Sequence, residues 1–375
     1  MARRPIASGL GSGLPIVGVL GPMSRVAVLA TVGVSIIAFV LEVVLHVHGT
    51  PIFVASAVAI LGLAWVIGLA TERLGALSGP HVGGILNATF GNIAELIIAF
   101  LALQAGLVTV VKASITGSII GNLLLVLGVS VLLGGVRNGV QAFDRRVAGS
   151  NAALLFLALA GLFVPAVFKS SSGDVTQGRL TEESVLIAVA LMVGYAVSLL
   201  WQFTNPEHTL GGHEAAEGHA GPAWSARVAV LVLIATAALL AVMSELLVGS
   251  IEPFIEQFGL SQFFVGVILI PTIGNLAEHL VAVQLAWKDR MEFAMAVSYG
   301  SSLQVALFVA PVLVLAGALL GQPMDLAFHP VEVAAIAAAV FIAALIALDG
   351  ESNWLEGALL TIFYVILAIS FFELR

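Results

Sequence analysis

The sequence predicts an all-α, polytopic membrane protein with about eleven transmembrane helices, in which one extra N-terminal helix precedes two inverted five-helix repeats. Hydrophobic residues form 60% of the 375-residue chain and charged residues only 10%, whereas a soluble domain carries about 25% charged residues. Apolar runs of about 20 residues, the length that crosses a bilayer as a helix, follow one another along the chain. One short motif also occurs once in each half. These observations predict two related halves built from membrane-spanning helices.

Eleven apolar runs are candidate spans, and they define the expected domain organisation. They cover roughly residues 24–46, 51–71, 83–104, 107–135, 149–168, 182–203, 224–248, 261–287, 291–320, 330–348 and 354–373. We expect residues 1–50 to hold the first span, residues 51–205 the first repeat, residues 206–223 a polar linker and residues 224–375 the second repeat. The linker contains three histidines, but its composition favours a solvated flexible loop over a metal site. The first span lacks a clear cleavage site and is expected to be retained.

The repeated motif relates the two halves. Residues 91–96 read Gly-Asn-Ile-Ala-Glu-Leu, and residues 274–279 read Gly-Asn-Leu-Ala-Glu-His, at an offset of 183. Gly117-Ser118 matches Gly300-Ser301 at the same offset. An odd number of spans in each repeat places the repeats in opposite orientations, which is the plan of many secondary transporters with a site at the bilayer midplane.

Basic residues predict the orientation of the chain. With the N-terminus in the cytoplasm, ten of the 14 Lys and Arg residues fall in cytoplasmic segments and four in outside segments. This excess favours a cytoplasmic N-terminus and an outside C-terminus.

Two carboxylates, Glu95 and Glu278, are the candidate functional centre. Each lies in a predicted span, where an acidic side chain costs about 2.5 to 3.5 kcal/mol on insertion scales. The leading glycines, together with Pro80 and Pro271, predict broken helices whose free carbonyl oxygens line a cavity. Carboxylate, amide and carbonyl oxygens suit a hard cation such as Ca²⁺, and two glutamates match its charge.

Other polar residues in the repeated regions are candidates for the site wall or for proton movement. Helix packing and a polar role are about equally expected for Gly117, Gly121 and Ser301, whereas a polar role near the site is favoured for Asn122 and Gln304. Candidates with weaker signals are Ser118 on the site wall, His279 for hydrogen bonding or proton transfer, and Glu72 and Glu245 for gating. For His279 the alternative is an interior histidine whose hydrogen bonds are satisfied, and for Glu72 and Glu245 it is an acidic side chain at the surface. Glu42, which has no counterpart in the second half, is expected to be peripheral.

The repeated segments resemble the Ca²⁺/H⁺ antiporter (cation/proton exchanger) family of the Ca²⁺/cation antiporter superfamily. The resemblance covers nearly everything after residue 50 and rests on the following stretches: ATERL, GGILNATFGNIAELIIAFLALQAG, VKASITGSIIGNLLLVLG, PTIGNLAEHLVAVQLAWKDRMEFAMAVSYGSSLQVALFVAPVLVLAG and DGESNWLEGALL. It implies an eleven-helix antiporter that binds Ca²⁺ between spans three and eight. Ile93 and Gly121 stand where Ala and Ser are common in the family.

The resemblance also implies residue roles. Glu95 and Glu278 would be carboxylates shared by Ca²⁺ and protons, in site-forming segments that include Gly91, Asn92, Gly274 and Asn275. Positions linked to gating, proton transfer or the polar site wall would be Glu72, Glu245, His279 and Gln304.

Several functions compete with Ca²⁺/H⁺ exchange. Within transport, the alternatives are another divalent cation such as Mn²⁺, or Na⁺-coupled Ca²⁺ exchange. An enzyme is not expected, since HExxH, G-x-S-x-G and Walker motifs are missing from the sequence, and two repeats with one carboxylate each suit alternating access better than a passive channel. The expected partners are Ca²⁺ and H⁺ as substrates and the lipid bilayer, without nucleic acid or a cofactor; a homo-oligomer is left open. The short N-terminus favours a bacterial cytoplasmic membrane.

Overall fold

A computed structural model describes residues 22–78, 86, 89–171, 176–205 and 224–374 of the chain, with the side chains of residues 22–24 excepted. Eleven helical elements lie within these residues. They are α1 (Arg25–Val44), α2 (Thr50–Ser78), α3 (Ile93–Gln104), α4 (Val108–Asn138), α5 (Arg145–Ser171), α6 (Gln177–Thr204), α7 (Ala226–Phe258), α8 (Gln262–Trp287), α9 (Met291–Leu320), α10 (Pro330–Ile346) and α11 (Trp354–Glu373). Nine are long and apolar enough to span a membrane, and α3 and α10 are shorter. The predicted all-α membrane fold is confirmed.

The helices differ in how deeply they lie in the bundle. In the most apolar part of α4, 72% of the residues are buried, against 17% for α1. Peripheral helices expose large apolar side chains such as Leu186 and Leu231, which suits contact with lipid tails. The centre of the bundle is therefore built around α4, with α9 as its counterpart in the second half.

Four of the described helices contain a π-helical segment, and that of α1 is Val40–Val44 at its end. Those of α4 (Gly121–Val126) and α9 (Val305–Val309) follow the repeated Gly-Ser pairs at equivalent places in the two halves, and that of α8 is Val265–Leu269. Segments of this type occur frequently at functional sites because the extra residue redirects side chains and frees backbone groups.

Glycine allows α4 and α8 to cross at close range. A Cβ atom at Gly117 would collide with the carbonyl oxygen of Val267, and one at Gly266 would lie 2.7 Å from the Cβ of Ala113. Among the described residues, no heavy atom outside the local helix backbone lies within 4 Å of where a Cβ would stand at Gly121 or Gly300. The close approach predicted for this face is therefore observed at Gly117, and no described residue makes it at Gly121.

A buried ion pair joins the halves at one end of the bundle. Lys112 on α4 donates to Asp325, in the segment between α9 and α10, at 2.6 Å, and Gln177 donates to the same carboxylate at 3.0 Å. Close by, the Thr116 hydroxyl donates to Glu332 at 2.9 Å. This network ties α4, α6 and α10 together.

Several predicted boundaries change. The helix α2 runs further than expected, to Ser78, so Glu72 lies inside it. In α7 the chain turns at Ser250 between the segments Ala226–Gly249 and Ile251–Phe258, so Glu245 lies near the end of the first segment, as predicted. A short antiparallel pairing, Gln141–Ala142 with Glu351–Ser352, joins the segments before α5 and α11. The predicted linker from residue 206 to 223 and Pro80 lie outside the described residues.

Candidate cation site

The two repeated motifs meet in the middle of the bundle. A Cβ at Gly274 on α8 would lie 3.1 Å from the Cγ of Glu95 and 3.3 Å from its Oε1, so the Glu95 carboxylate rests against the α8 backbone. A side chain at position 274 would therefore require the Glu95 carboxylate to shift by a few tenths of an ångström. Glu278 follows Gly274 by about one turn of α8 and acts electrostatically on Glu95.

The first motif is held at the start of a helix. Gly91 and Asn92 form a turn, and α3 begins at Ile93, which places Glu95 in the first turn. The Glu95 side chain is buried, and among the described residues neither of its carboxylate oxygens has a hydrogen-bond partner. Such buried acceptors are costly unless a donor, a proton or a cation satisfies them.

The second motif lies within a continuous helix. The sequence predicts a break near Pro271, but α8 runs through it, and the π-helical segment ends at Leu269 just before it. Proline has no N–H, so the carbonyl of Val267, four residues earlier, loses its usual donor and faces Gly117. The predicted break is therefore wrong, while the expected disturbance of backbone hydrogen bonding occurs one turn earlier.

Amide and hydroxyl groups from both halves surround the carboxylates. Asn92 donates through Nδ2 to Gln304 and accepts a bond of 2.9 Å from the Ser301 hydroxyl. Asn122 donates to the Ser301 Oγ at 2.9 Å. Ser301 and Glu278 both line the same cavity. This cluster fixes the orientation of Asn92 and Ser301.

Asn275 makes the corresponding contact from the second half. Its Nδ2 donates to the Ser118 Oγ at 3.3 Å, and its buried Oδ1 has no partner within the part of the chain that the structure describes. One Oε atom of Glu278 is also buried and has no partner among those residues. Together with Glu95, these residues present several unsatisfied oxygens to one region, the donor type that a hard cation requires. Among the described residues, no three His, Asp or Glu side chains gather into a metal-binding group.

A cavity of about 350 Å³ connects this region to the protein surface. Its walls include Gly91, Gly274, Glu278, Ser301 and Gln304. It leads toward the end of the bundle where α2 ends and α3 and α9 begin, and exposed residues such as Glu72 and Val281 line its outer part.

The remaining candidates lie at different distances from this cavity. Glu72 lines it, whereas Glu245 is exposed and lies outside its lining. His279 is half-buried and does not line the cavity, and its buried Nε2 has no hydrogen-bond partner among the residues that the structure describes. Glu42 pairs at 3.1 Å with the exposed His48, at the end of α1.

Thr71 is a residue that the sequence did not point out. Its hydroxyl oxygen lies buried in the cavity wall next to Glu72 and has no hydrogen-bond partner in the described ranges. Ser244, which precedes Glu245, also has a buried hydroxyl without a partner in those ranges. A hydroxyl residue before each repeated glutamate was the signal available in the sequence.

Known proteins share this sequence and this fold. The family model described as sodium/calcium exchanger protein matches residues 48–204 and 228–372. A Ca²⁺/H⁺ antiporter of Aphanothece halophytica is 43% identical over 341 residues, covering 88% of this chain and 91% of that protein. The Ca²⁺/H⁺ antiporter ChaA of Bacillus subtilis (strain 168) is 41% identical over 333 residues, covering 88% of this chain and 94% of its own.

Solved structures extend the comparison to the fold. The structure of native YfkE has a TM-score of 0.79 and 36% identity, and covers 93% of this chain and 99% of its own. The H⁺/Ca²⁺ exchanger CAX has a TM-score of 0.73, covering 94% of this chain and 93% of its own. Its identity is 16%, so that likeness concerns the fold alone.

Proposed function

This chain belongs to the sodium/calcium exchanger protein family and, within it, to the Ca²⁺/H⁺ antiporters, and we propose that it exchanges Ca²⁺ for protons across a membrane by alternating access. The observation that carries this function is the pair of repeated glutamates, Glu95 and Glu278, brought together in the middle of the bundle with unsatisfied oxygens. Relatives named as Ca²⁺/H⁺ antiporters along most of the chain favour this pair of ions over Mn²⁺ export or Na⁺-coupled exchange.

The oxygens around the two glutamates fit Ca²⁺ as cargo. Ca²⁺ takes six to eight oxygen ligands in flexible geometry, and carboxylates supply the charge. Glu95 and Glu278 would be the charged ligands, with Asn92, Asn275 and backbone groups at Gly91 and Gly274 as neutral members of the site. Ser118, Asn122 and Ser301 would hold the amides in place through their hydrogen bonds.

The same two carboxylates would bind either Ca²⁺ or protons, and this shared binding would couple the transport of the two ions. Two empty, charged carboxylates at membrane depth repel each other and are poorly solvated. One Ca²⁺ neutralises both charges, and two protons do the same. If the protein changes its accessible side only when the site is neutral, it moves one Ca²⁺ in one direction and up to two protons in the other. The empty, charged site would not make this change, so ions would not cross without exchange.

Access to the site would alternate between the two ends of the bundle. The cavity lined by Glu278 reaches one end of the bundle. At the other end, the Lys112–Asp325 network joins the two halves. We assign the open end to the cytoplasm, in keeping with the distribution of basic residues, in a bacterial cytoplasmic membrane with the N-terminus inside. Glu72, on the cavity wall, would gate entry, Gln304 would orient Asn92, and His279 would assist proton transfer; Glu245 would take the corresponding entry role in the opposite conformation.

Purified protein in sealed vesicles tests this function. An acid interior, without Na⁺ or ATP, should drive uptake of external Ca²⁺ and dissipate the pH gradient as Ca²⁺ enters. Uptake that requires Na⁺, or that ignores the pH gradient, would exclude proton antiport. Competition by Mn²⁺ in the same assay measures selectivity.

A further inference from the structure

A second cavity lies behind the wall of the first. It has a volume of about 590 Å³ and lies between α5, α6 and α9. Ala296, Gly300 and Gln304 line both cavities, so one segment of α9 separates them. This second cavity has no role in the exchange mechanism described above.

The second cavity changes from polar to apolar along its length. Ser150, Asn151 and Gln202 lie near one end of the bundle, and Leu157 and Gly194 lie deeper. The deeper lining is mainly apolar, with Tyr195 and Gln304 as its polar members. Three polar side chains of the cavity are already satisfied: Asn151 donates to the carbonyl of Val147, Ser150 to that of Arg146 and Ser198 to that of Tyr195. These polar groups already have hydrogen-bond partners, so the occupant of the cavity need not supply any.

The dimensions of this cavity match half of a bilayer. Its lining on α5 runs from Val147 to Leu157, which is about 15 Å of helix at about 1.5 Å per residue. The hydrocarbon core of a bilayer is about 30 Å thick, so the cavity spans about one leaflet. Leu157, Val197 and Trp201 on its rim are exposed, so the cavity opens sideways toward the lipid. Trp201 near the end of α6 suits the membrane interface.

Positive charge lies at the polar end of the cavity. Arg145 and Arg146 are exposed and directly precede Val147, the first lining residue of α5. Arg146 lies one turn from Ser150 on the same helix face. Within the described part of the chain, no ion pair occupies either guanidinium.

From this geometry we propose that the cavity between α5, α6 and α9 binds one anionic phospholipid of the surrounding leaflet. The headgroup phosphate lies at Arg145 and Arg146, and an acyl chain fills the apolar part down to Leu157 and Gly194. The bound chain packs on the back of the α9 segment that carries Ser301 and Gln304. Lipid occupancy thereby supports the wall of the cation site.

Lipid retention can be measured directly, without reference to ion exchange. The intact protein is reconstituted into bilayers of phosphatidylcholine with phosphatidylglycerol, extracted in mild detergent, and weighed with its bound lipid by native mass spectrometry. We expect the wild type to retain one phosphatidylglycerol in preference to phosphatidylcholine. Equal retention of the two lipids would overturn the proposal.

Matched variants separate the cavity from general lipid contact. Ala153 is exposed and lines the cavity, and Ala160, seven residues later on the same helix, is exposed outside it. Ala153→Phe should abolish retention, whereas Ala160→Phe should leave it unchanged. Ser150→Phe is a second filling variant at an exposed lining position, so one misfolded variant leaves the other to decide.

The arginines are tested by a double substitution. Arg145→Gln with Arg146→Gln should reduce the preference for phosphatidylglycerol by roughly thirtyfold, since each basic residue near an anionic lipid contributes about a factor of five. An unchanged preference, or unchanged retention in a folded filling variant, contradicts the proposed site.

Discussion

Asn275 on α8 donates a hydrogen bond of 3.3 Å to Ser118 on α4, and so joins the second repeated motif to the first half of the chain. The repeat-equivalent pair, Asn92 and Ser301, is joined in the opposite sense across the halves at 2.9 Å. Each half thus holds the asparagine of its motif on a serine of the other half. A single half cannot form this arrangement, so the candidate site depends on the packing of both.

The carboxylate pair can be tested by neutral substitutions. Glu95→Gln and Glu278→Gln preserve shape but remove a charge and a titratable proton, so each should abolish proton-driven Ca²⁺ uptake in vesicles. Glu42→Gln is the control, since Glu42 pairs only with exposed His48 at the end of α1 and should retain exchange. Near-normal uptake in either site variant, with normal insertion, would rule out the shared-carboxylate mechanism.

Ca²⁺ affinity should depend on pH. Protons and Ca²⁺ compete for the same oxygens of Glu95 and Glu278, so acidification should weaken Ca²⁺ binding to the wild-type protein. Isothermal titration of purified protein across the range from about pH 5.5 to 8.5 measures this dependence. An affinity that is constant over this range would show that protons are not bound at the cation site.

The close crossing of α4 and α8 predicts a difference between two glycines. Gly117→Ala places a methyl group against the Val267 carbonyl oxygen, whereas the methyl group of Gly121→Ala approaches no neighbouring element in the described part of the chain. We expect Gly117→Ala to destabilise the protein by about 1 to 3 kcal/mol and Gly121→Ala to have little effect on stability. Thermal unfolding in detergent measures both, and equal midpoints would contradict the observed crossing.

The Lys112–Asp325 pair should make stability depend on pH. Burial by itself raises the pKa of the Asp325 carboxyl, but the Lys112 ammonium and hydrogen bonds from Lys112, Gln177 and the Ala327 N–H together bring that pKa below its ordinary value. The carboxylate therefore contributes stability above an ordinary aspartate pKa of 3.8, and this contribution is lost as the pH falls through the lowered value.

Asp325→Asn isolates this contribution. At neutral pH the variant should be less stable by about 3 kcal/mol, because it leaves the Lys112 ammonium buried without its counter-charge. The difference from wild type should shrink in strong acid. Glu182→Gln, at an exposed position on α6, is the control and should change stability little. A difference between Asp325→Asn and wild type that persists unchanged at low pH would argue against the ion pair as its source.

The predicted linker offers a test of modularity. Residues 206–222 are polar and connect two apolar halves, so replacement by a Gly/Ser segment of similar length should leave exchange intact. Vesicle uptake by the replaced protein measures this. Loss of exchange in protein that inserts normally would assign the linker a regulatory or entry role.

The extent to which the sequence predicts the fold follows from the membrane environment. Apolar runs long enough to cross a bilayer have few alternatives to helix, because backbone polar groups must be satisfied internally. The predicted span 291–320 coincides with the whole of α9, and the predicted span 261–287 differs from α8 by one residue. Helix ends at polar interfaces are less constrained, which is why α2 continues beyond residue 71 to Ser78.

By itself, the sequence determined the membrane class and predicted two related halves with Glu95 and Glu278 as the candidate centre, because each follows from composition or from local repetition. Only the tertiary structure decided that Gly274 faces Glu95, that α8 continues through Pro271, and that Gly117 rather than Gly121 permits close helix contact. It also brought the Thr71 hydroxyl into the cavity wall. These features depend on which helix faces meet, and nearly uniform apolar helices carry little periodic signal that would indicate the buried face.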